Sequence, residues 1–300
     1  MHNSRIARWP AAVSSLIFCL WFCSCATVPN RTATSPSPVS YEHIVRHDPN
    51  YSIHVVKINL NDPRVSVHVS RGGADPDGDG PWLTTLMPTS EIARREHYDI
   101  AVNGDFFDAK ATRDIEGRNT GYVWGKAAAP VGTAMTDGEL WHRTAKTWPY
   151  LEITSSGTAL LADGFPSGGI DPAARQIVGG SQIIVRNGKP VLYRSRFATA
   201  RHPRTAVGLD TTGTQLTLLV VDGRQPRLSI GMTLAELSEE LIRLGCASAI
   251  NLDGGGSTTL VYRDPATKHL EVLNSPSDTK ERAVAEVLGV VVNVPLPKPR

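Results

Sequence analysis

The chain has 300 residues, of which 41% are hydrophobic and 20% are charged, and its formal net charge is +2 at pH 7. This length and apolar content suit a globular protein with one large domain or two small ones. Beyond the N-terminus there is no run of Lys or Arg that would bind nucleic acid or an anionic membrane surface. The composition therefore allows a globular enzyme and argues against a nucleic-acid-binding protein.

Residues 1–25 have the features of a signal peptide. Arg5 and Arg8 give a positively charged segment, and residues 11–22 form an apolar stretch that is short for a membrane span. The residues before Cys25 weakly resemble a lipobox, although Phe22 stands where such signals normally have Leu. Lipidation of Cys25 and ordinary cleavage near it are both open. Either route predicts an exported bacterial protein, periplasmic, outer-membrane or secreted, whose membrane contact would be a lipid anchor on Cys25.

The predicted signal is followed by a segment poor in large apolar residues. Its first part, residues 26–40, is rich in Ser, Thr and Pro, which bury too little surface to order themselves. We therefore predict a disordered tether over residues 26–45 and one folded domain over residues 46–300. Cys246 has no cysteine partner in that domain, so no disulfide is expected, and its side chain is predicted to be buried.

The first elements of this domain are indicated by alternating apolar residues. Two such runs over residues 51–69, separated by a turn at residues 61–63, predict a β-hairpin. The acidic segment 72–80 lacks the bidentate Glu of an EF-hand loop, which favours an exposed loop over a calcium site. A short helix is predicted over residues 88–97, and a strand over residues 98–102. The region from about 108 to 200 has no clear period.

The last third has the clearest pattern. Residues 205–210 and 214–221 predict a hairpin, and Thr233 with Glu236 forms a capping box that begins a helix ending near Gly245. A buried strand over residues 247–252 completes a strand–helix–strand unit, which is expected to be a right-handed parallel crossover. The predicted fold class is α+β or mixed α/β: a single domain with mixed β-sheets, this C-terminal unit and flanking helices.

Asp222 and Asp253 each follow the last apolar residue of a strand in that unit. Because the two strands run in the same direction, both carboxylates are expected at the sheet edge where α/β sheets bind ligands. The hairpin register would place Arg204 opposite Val220, close to Asp222. Arg204 and Arg224 are therefore candidates for binding phosphate, since a guanidinium group matches two phosphate oxygens.

Three consecutive glycines within residues 251–259 are the most distinctive local feature. Glycines in an apolar β-rich stretch lose packing and backbone entropy, so another group is expected to approach this backbone closely. Free N–H groups of the turn and the hydroxyls beside it could bind a phosphoryl oxygen. The structural alternative is a tight turn in which Asp253 bonds its own backbone. The candidate phosphate-binding residues here are Asn251, Gly254, Gly255, Gly256, Ser257 and Thr258.

Asn103 and Asp105 follow another predicted strand in the same manner, and we include both among the candidate site residues. Phe106 and Phe107, which come next, are attributed to the hydrophobic core. His202 fits either a proton carrier or an exposed loop residue. No HExxH, paired CxxC, P-loop or GxSxG pattern is present.

At these positions the sequence resembles the phosphodiester glycosidase family. The resemblance covers residues 101–293 and rests on the order and spacing of five elements. A further element, residues 281–285, resembles the end of the family's domain, where Arg282 would also face the site. The resemblance implies cleavage of a sugar-1-phosphodiester bond that releases the sugar and leaves a phosphomonoester. The five elements are residues 101–107, 204–208, 221–224, 231–234 and 251–259.

The implied chemistry assigns roles to these residues. Asp222 and Asp253 would share the nucleophile or base and acid roles, because the leaving phosphomonoester lets oxocarbenium character develop at the sugar. Arg204 and the glycine turn would bind phosphate, while Asn103 and Asn251 would orient sugar hydroxyls. In an alternative arrangement, Asp222 or Asp253 binds a divalent cation, Ca²⁺ or Mg²⁺, that neutralises the phosphate.

Two other functions stay open. The first is a lipoprotein that binds carbohydrate or another cell-envelope glycan without cleaving it. The second is a metal-dependent phosphodiesterase that breaks the P–O bond, although such enzymes usually present His and Asp clusters to two metals and no such His cluster is visible. The predicted export favours a sugar phosphodiester or glycan of the cell envelope as the substrate.

Overall fold

The structure is a computed structural model that describes residues 36–298, with the exception of residues 115, 145–146 and 165–168. The predicted signal peptide, Cys25 and the predicted tether up to residue 35 lie outside the described residues. Within the described part of the chain, no helix is both long and apolar enough to cross a membrane.

Strands dominate the described residues, and the helices are short. The helices are α1 (Thr89–Arg95), α2 (Arg196–Thr199) and α3 (Leu234–Arg243). The strands are β1 (Val39–Arg46), β2 (Tyr51–Asn59), β3 (Val65–Arg71), β4 (Thr84–Thr85), β5 (Met87–Pro88), β6 (Ile100–Asn103), β7 (Phe107–Ala109), β8 (Ala127–Pro130), β9 (Ala134–Thr136), β10 (Glu139–His142), β11 (Tyr150–Thr154), β12 (Ala159–Ala162), β13 (Ala174–Gly179), β14 (Gln182–Arg186), β15 (Lys189–Pro190), β16 (Arg204–Leu209), β17 (Gln215–Val221), β18 (Ser248–Asn251), β19 (Leu260–Arg263), β20 (Leu270–Val272), β21 (Ala283–Val284) and β22 (Glu286–Val292).

The largest sheet has seven strands in the order β1-β2-β17-β16-β18-β14-β15. The predicted hairpin is present as β16 and β17. Strand β16 also pairs antiparallel with β18, so β17 and β18 run in the same direction with β16 between them. The strand–helix–strand unit is therefore confirmed, but its two strands are not hydrogen-bonded to each other.

The remaining strands form a five-stranded sheet β20-β19-β6-β22-β3, a second five-stranded sheet β10-β9-β13-β11-β12, and two small sheets, β21-β5 and β4-β8-β7. Every strand pairing among the described residues is antiparallel. The expected mixed sheets are therefore wrong, and the domain is mainly antiparallel β rather than an even mixture of helices and strands.

Two N-terminal predictions are also wrong. Strands β2 and β3 do not form a hairpin, because β2 pairs with β1 and β17 whereas β3 pairs with β22 in another sheet. The tether does not extend to residue 45, since β1 forms the edge of the largest sheet from Val39 onward. Val39 is only 2% exposed, and the Tyr41 hydroxyl lies 2.8 Å from Nδ1 of His54 on β2.

The main hydrophobic core lies between the seven-stranded sheet and the sheet that contains β6 and β22. Side chains from both sheets meet there, among them Ile58, Leu218, Ile250, Val102 and Leu288. Because strand side chains alternate between faces, the opposite face of the seven-stranded sheet carries a second core. Helix α3 covers this second core.

Helix α3 follows its sequence pattern closely. The Thr233 hydroxyl accepts from Glu236 N at 3.2 Å, and the Glu236 carboxylate accepts from Thr233 N at 2.9 Å, which confirms the capping box. The helix is followed by Gly245 at φ +96°, a conformation that favours glycine. Cys246 is buried against the helix and the sheet, as predicted. The crossover thus places the end of β18, and the glycine turn that follows it, at the same edge of the sheet as the end of β17.

Candidate active site

A cavity of about 210 Å³ opens beside the glycine turn that follows β18. It has one carboxylate, three guanidinium groups, one imidazole and two phenyl rings in its walls. Such a mixture suits a ligand that combines an anion with an apolar or sugar-like face. The lining residues are Phe106, Phe197, His202, Arg204, Arg224, Asp253, Gly254, Gly255 and Arg282.

Asp253 supplies the carboxylate of this cavity. Its backbone N–H donates to Gly104 O at 3.1 Å, and its Oδ1 accepts from Gly254 N at 2.7 Å. Burial raises the pKa of Asp253 to about 6, while Arg282 and Arg224 act in the opposite direction. The carboxylate is consequently ionised at neutral pH but more basic than an exposed aspartate.

Four N–H groups of the glycine turn, those of Gly254, Gly255, Ser257 and Thr258, donate to acceptors within the protein. Gly255 N donates to Pro203 O at 2.9 Å, and the short 3-10 turn Gly255–Ser257 is closed by a bond of 3.2 Å from Ser257 N to Gly254 O. Thr258 N donates to Gly255 O at 3.3 Å, and the Ser257 and Thr258 side chains are buried away from the cavity lining. The N–H groups of Gly255, Ser257 and Thr258 are therefore not free to bind phosphate. The predicted phosphate contact of the Ser257 and Thr258 hydroxyls, which do not line the cavity, stays a prediction.

The glycines are explained instead by the close approach of two arginines. A Cβ atom at Gly255, where φ is +62°, would lie 2.9 Å from Arg224 Nη2. A Cβ atom at Gly256 would overlap the Arg282 guanidinium, and one at Gly254 would lie 2.7 Å from Pro203 O. Only glycine allows both guanidinium groups to lie against this backbone.

Arg204 is a fixed cation in the cavity wall. It lies opposite Val221, one residue from the predicted register, and it is 1% exposed. Its Nε donates to Met232 O at 2.9 Å, and its Nη2 donates to Phe197 O at 2.8 Å and to Ala200 O at 2.9 Å. Burial lowers the pKa of Arg204 to about 10, so the group stays charged at neutral pH.

The other two arginines are more accessible. Arg224 Nη2 lies 3.4 Å from Nδ1 of His202. Arg282 donates from Nη2 to Asp278 Oδ2 at 2.7 Å, and its guanidinium group lies 4.9 Å from the centre of the Tyr122 ring. Burial and the charges of Arg204 and Arg224 lower the pKa of His202, which keeps this imidazole neutral at pH 7. Arg282 is therefore brought to the cavity, as the resemblance implied.

Asp222 is not among the residues that line this cavity. It is 1% exposed, and its carboxylate accepts from Ser275 N at 2.7 Å, Ser52 Oγ at 2.8 Å and Asn274 Nδ2 at 3.2 Å. His54 Nε2 lies 3.5 Å from the same carboxylate. These contacts make Asp222 a junction between β2, β17 and the segment after β20. The expectation that Asp222 and Asp253 face one site together is wrong.

The alternative arrangement places a divalent cation on Asp222 or Asp253. Over the described ranges of the chain, no three His, Cys, Asp or Glu side chains are grouped so that they could hold a metal ion. Asp253 lines the cavity and Asp222 does not, and the oxygens of Asp222 are already hydrogen-bonded.

Asn103 and Asn251 hold the turn instead of facing a ligand. Asn103 is fully buried, donates from Nδ2 to Asp253 O at 2.7 Å and accepts at Oδ1 from the Thr205 hydroxyl at 2.7 Å. Asn251 is also buried and donates from Nδ2 to Leu252 O at 2.7 Å. Neither side chain lines the cavity, and their expected contact with sugar hydroxyls stays a prediction. Asn103 acts on the site by fixing the backbone of Asp253.

Sequence reasoning missed or misplaced two residues near Asp253. Phe106, which we expected in the core, lines the cavity and meets Phe197 edge-on with ring centres 5.9 Å apart. Glu286 begins β22, is fully buried and accepts from Asp105 N at 3.1 Å through Oε1. A carboxylate in the otherwise apolar run of β22 was the available signal. Asp105 itself is buried and accepts from Gly132 N.

A known protein family matches most of the chain. The family model described as phosphodiester glycosidase matches residues 96–291, about two thirds of the chain. The chain belongs to this family. The family resemblance predicted from the sequence is thereby confirmed, and it places the chain among glycosidase-type hydrolases.

The curated relatives of this phosphodiester glycosidase family member match over short segments. The bovine N-acetylglucosamine-1-phosphodiester alpha-N-acetylglucosaminidase is 38% identical over 101 residues, which cover 29% of this chain and 19% of that protein. The human protein of the same name is 43% identical over 67 residues, which cover 22% of this chain and 12% of that protein. The chain thus spans less than a fifth of these relatives' length.

Two solved structures share the fold over most of the chain. The zebrafish N-acetylglucosamine-1-phosphodiester alpha-N-acetylglucosaminidase catalytic domain, auto-inhibited by its pro-peptide, has a TM-score of 0.60 at 22% identity and covers 86% of this chain and 84% of its own. A putative exported protein from Burkholderia pseudomallei has a TM-score of 0.56 at 16% identity, with 81% and 74% covered. At these identities the likeness supports the fold.

The buried carboxyl group of Asp105 leads to a prediction about the pH dependence of stability in this family member. Burial raises the pKa of Asp105 from 3.8 to about 7, so the folded state retains a proton that the unfolded chain loses. The stability that this group contributes is fully present below the pKa of the aspartate in the unfolded chain. It is lost as the pH rises through the folded-state pKa of about 7. The difference in free energy of unfolding between Asp105→Asn and the unsubstituted protein is expected to grow by about 2 to 3 kcal/mol, in favour of the variant, when the pH is raised from 5 to 8. Urea unfolding at both pH values measures this gain, and an equal difference at the two pH values would contradict it.

Proposed function

We propose that the protein hydrolyses a sugar-1-phosphodiester at its glycosidic bond, releasing the sugar and a phosphomonoester. The observation that carries this proposal is the cavity in which the carboxylate of Asp253 faces a wall containing Arg204, Arg224 and Arg282. Guanidinium groups pair well with phosphate oxygens, and a phosphodiester carries one negative charge. The phenyl rings of the cavity give the sugar an apolar face to pack against.

The reaction needs a base near the sugar and cations near the phosphate. Water attacks the anomeric carbon, Asp253 accepts the water proton, and the bond between that carbon and the phosphate oxygen breaks. The bonding pair leaves on the phosphate oxygen, and the arginines stabilise the charge that develops there. Because a phosphomonoester is a good leaving group, a second carboxylate is not needed to protonate it. Asp253, with its pKa near 6, is ionised and basic at neutral pH.

A second cavity lies next to the first. It favours a substrate that carries a second sugar or glycan, attached to the phosphate on the side opposite the sugar that is released. It measures about 480 Å³ and shares Arg282 with the first cavity. Tyr122 and Trp124 stand in its wall, 48% and 57% exposed. Its four charged side chains, Asp278, Lys280, Glu281 and Arg282, are balanced in sign. Exposed rings with balanced donors and acceptors favour carbohydrate over a lipid chain or a polyanion.

The expected site of action is the cell envelope. The N-terminal signal-like sequence supports export, and Cys25 is the position at which a lipid anchor would be attached. Cell fractionation of the native protein and of a Cys25→Ser variant tests both points. We expect the native protein in the membrane fraction and the variant released from it. Recovery of the native protein in the cytosol would contradict export, and equal release of both proteins would contradict lipidation.

The proposed activity is tested with a panel of p-nitrophenyl sugar phosphodiesters and UDP-sugars, incubated with the purified protein with and without EDTA. The expected products are free sugar and a phosphomonoester, measured by chromatography. Loss of activity in EDTA would show that the reaction requires a divalent cation. Binding of glycan without turnover of any panel member would replace the proposal with a carbohydrate-binding protein.

Trp124 is expected to contribute to substrate affinity through the second cavity. Trp124→Ala should raise KM about tenfold for a substrate with a sugar on both sides of the phosphate, equivalent to about 1.4 kcal/mol of lost binding. The methyl phosphodiester of the same sugar lacks the second sugar, so its KM should change little. Leu192→Ala removes another exposed apolar side chain, which is 72% exposed, and serves as the control. Equal effects of Trp124→Ala on both substrates would contradict the assignment.

A further inference from the structure

Two carboxyl groups, those of Asp105 and Glu286, are buried close to Asp253 in space that glycines leave open. A Cβ atom at Gly104 would lie 2.8 Å from Glu286 Cγ. Cβ atoms at Gly132 and Gly179 would lie 2.6 Å and 2.5 Å from Asp105 Oδ2. Larger residues at these three positions would displace the carboxyl groups, so the backbone is shaped around them.

Within the described part of the chain, no cation is paired with either of these two carboxyl groups. Among the ion pairs of the described residues, none includes Asp105 or Glu286. Asp105 Oδ1 and Glu286 Oε2 are both buried without a hydrogen-bond partner. Two adjacent buried carboxylates without compensation are strongly unfavourable. The pair therefore retains protons under conditions in which exposed carboxyl groups have lost them.

The pair is connected to Asp253 through one peptide unit. Asp105 N donates to Glu286 Oε1 at 3.1 Å, and Gly104 O, in the same peptide unit, accepts from Asp253 N at 3.1 Å. The charge of Asp253 also acts on Asp105, where it disfavours ionisation. A change in the protonation of Asp105 therefore changes the electrostatic potential at the Asp253 carboxylate, which faces the substrate.

We propose that Asp105 and Glu286 are positioning residues for Asp253, and that their protonated state leaves Asp253 as the single negative charge opposite an anionic substrate. This proposal rests on the proposed function. When Asp105 ionises as the pH rises through neutrality, a second negative charge appears close to Asp253 and repels the phosphodiester. Substrate affinity then falls while the catalytic groups stay in place.

The charged groups around the pair set the order in which protons are lost. Asp253 loses its proton first, with a pKa of about 6, because Arg282 and Arg224 lie near it. Asp105 follows with a pKa of about 7, since burial and the ionised Asp253 oppose its charge and only backbone N–H groups such as that of Gly132 favour it. Burial and Asp105 raise the pKa of Glu286 well above its usual value, so it stays protonated.

The test is a comparison of KM and kcat between pH 5 and pH 9 for the native protein and Asp105→Asn. We expect KM of the native protein to rise at least about fivefold between pH 6 and pH 9, with a smaller change in kcat. In Asp105→Asn the ratio of KM at pH 9 to KM at pH 6 should fall close to one. Asp163→Asn, which changes an exposed carboxylate, should keep the native ratio. An unchanged alkaline rise of KM in Asp105→Asn would overturn the proposal.

A second measurement does not depend on turnover or on the folding of the variant. Infrared spectra of the native protein should show the carbonyl band of a protonated carboxyl group at pH 6.5, with part of it lost as the pH rises to 8.5. Absence of a protonated carboxyl band at pH 6.5 would overturn the proposal even if the enzyme is active. A titrating band in a protein without hydrolase activity would instead leave the buried pair established and contradict the proposed function.

Discussion

Asp253→Asn is expected to lower kcat by at least about 100-fold, the usual contribution of a general base. Asp253 is the carboxylate in the lining of the cavity, and an amide does not accept the proton of the attacking water. Its stability should be kept or improved, since the amide oxygen can still accept from Gly254 N and a buried charge is removed. Turnover and urea unfolding, measured on the same preparation, separate the two effects.

The control for this variant is Asp163→Asn, because Asp163 pairs with Arg186 on the surface and its side chain is 58% exposed. It should keep native turnover and stability, as exposed ion pairs contribute little. A folded Asp253→Asn protein that retains native kcat would remove Asp253 from the mechanism. An unfolded variant would show that the carboxylate is needed for structure.

Asp222→Ala is expected to have the largest effect on stability. The Asp222 carboxylate is the acceptor for Ser52 Oγ, Asn274 Nδ2 and Ser275 N, and all three donors would lose that acceptor. A buried donor without a partner costs about 1 to 3 kcal/mol, so the loss of the acceptor for three donors should lower the free energy of unfolding by at least about 3 kcal/mol. This loss is a large part of the stability of a typical domain, about 5 to 15 kcal/mol.

Asp222→Asn separates a structural from a catalytic role for this residue. The amide keeps one acceptor oxygen, so the loss of stability should be smaller than in the alanine variant. At a temperature where the variant is folded, its kcat should lie within a few-fold of the native value, because Asp222 does not line the cavity. A stable Asp222→Asn protein with the activity loss expected of Asp253→Asn would restore Asp222 to the catalytic site.

The sequence is informative where local chemistry decides the structure. The capping box of Thr233 and Glu236 places α3, and the glycine run marks the turn that presents Asp253. The helix and hairpin depend on residues close in the chain, and the glycines reflect a steric need that no other residue meets. These features also carry the resemblance to the phosphodiester glycosidase family.

Features that depend on distant partners were beyond the sequence pattern. A position after a strand does not show whether a carboxylate faces a cavity, as at Asp253, or internal donors such as Ser52 and Asn274, as at Asp222. The alternation in β2 and β3 predicts strands without showing that they join different sheets. Glu286 was missed because its neighbour Asp105 is far away in sequence.

The most direct test of the proposed chemistry is hydrolysis of a sugar-1-phosphodiester in water enriched in ¹⁸O, followed by mass spectrometry of the products. Attack at the anomeric carbon leaves the phosphate oxygens unchanged. We therefore expect free sugar together with a phosphomonoester that carries no ¹⁸O, and both products should form at least about 100-fold more slowly with Asp253→Asn. A phosphate group that carries ¹⁸O, or release of sugar-1-phosphate, would show P–O cleavage and contradict the glycosidase mechanism.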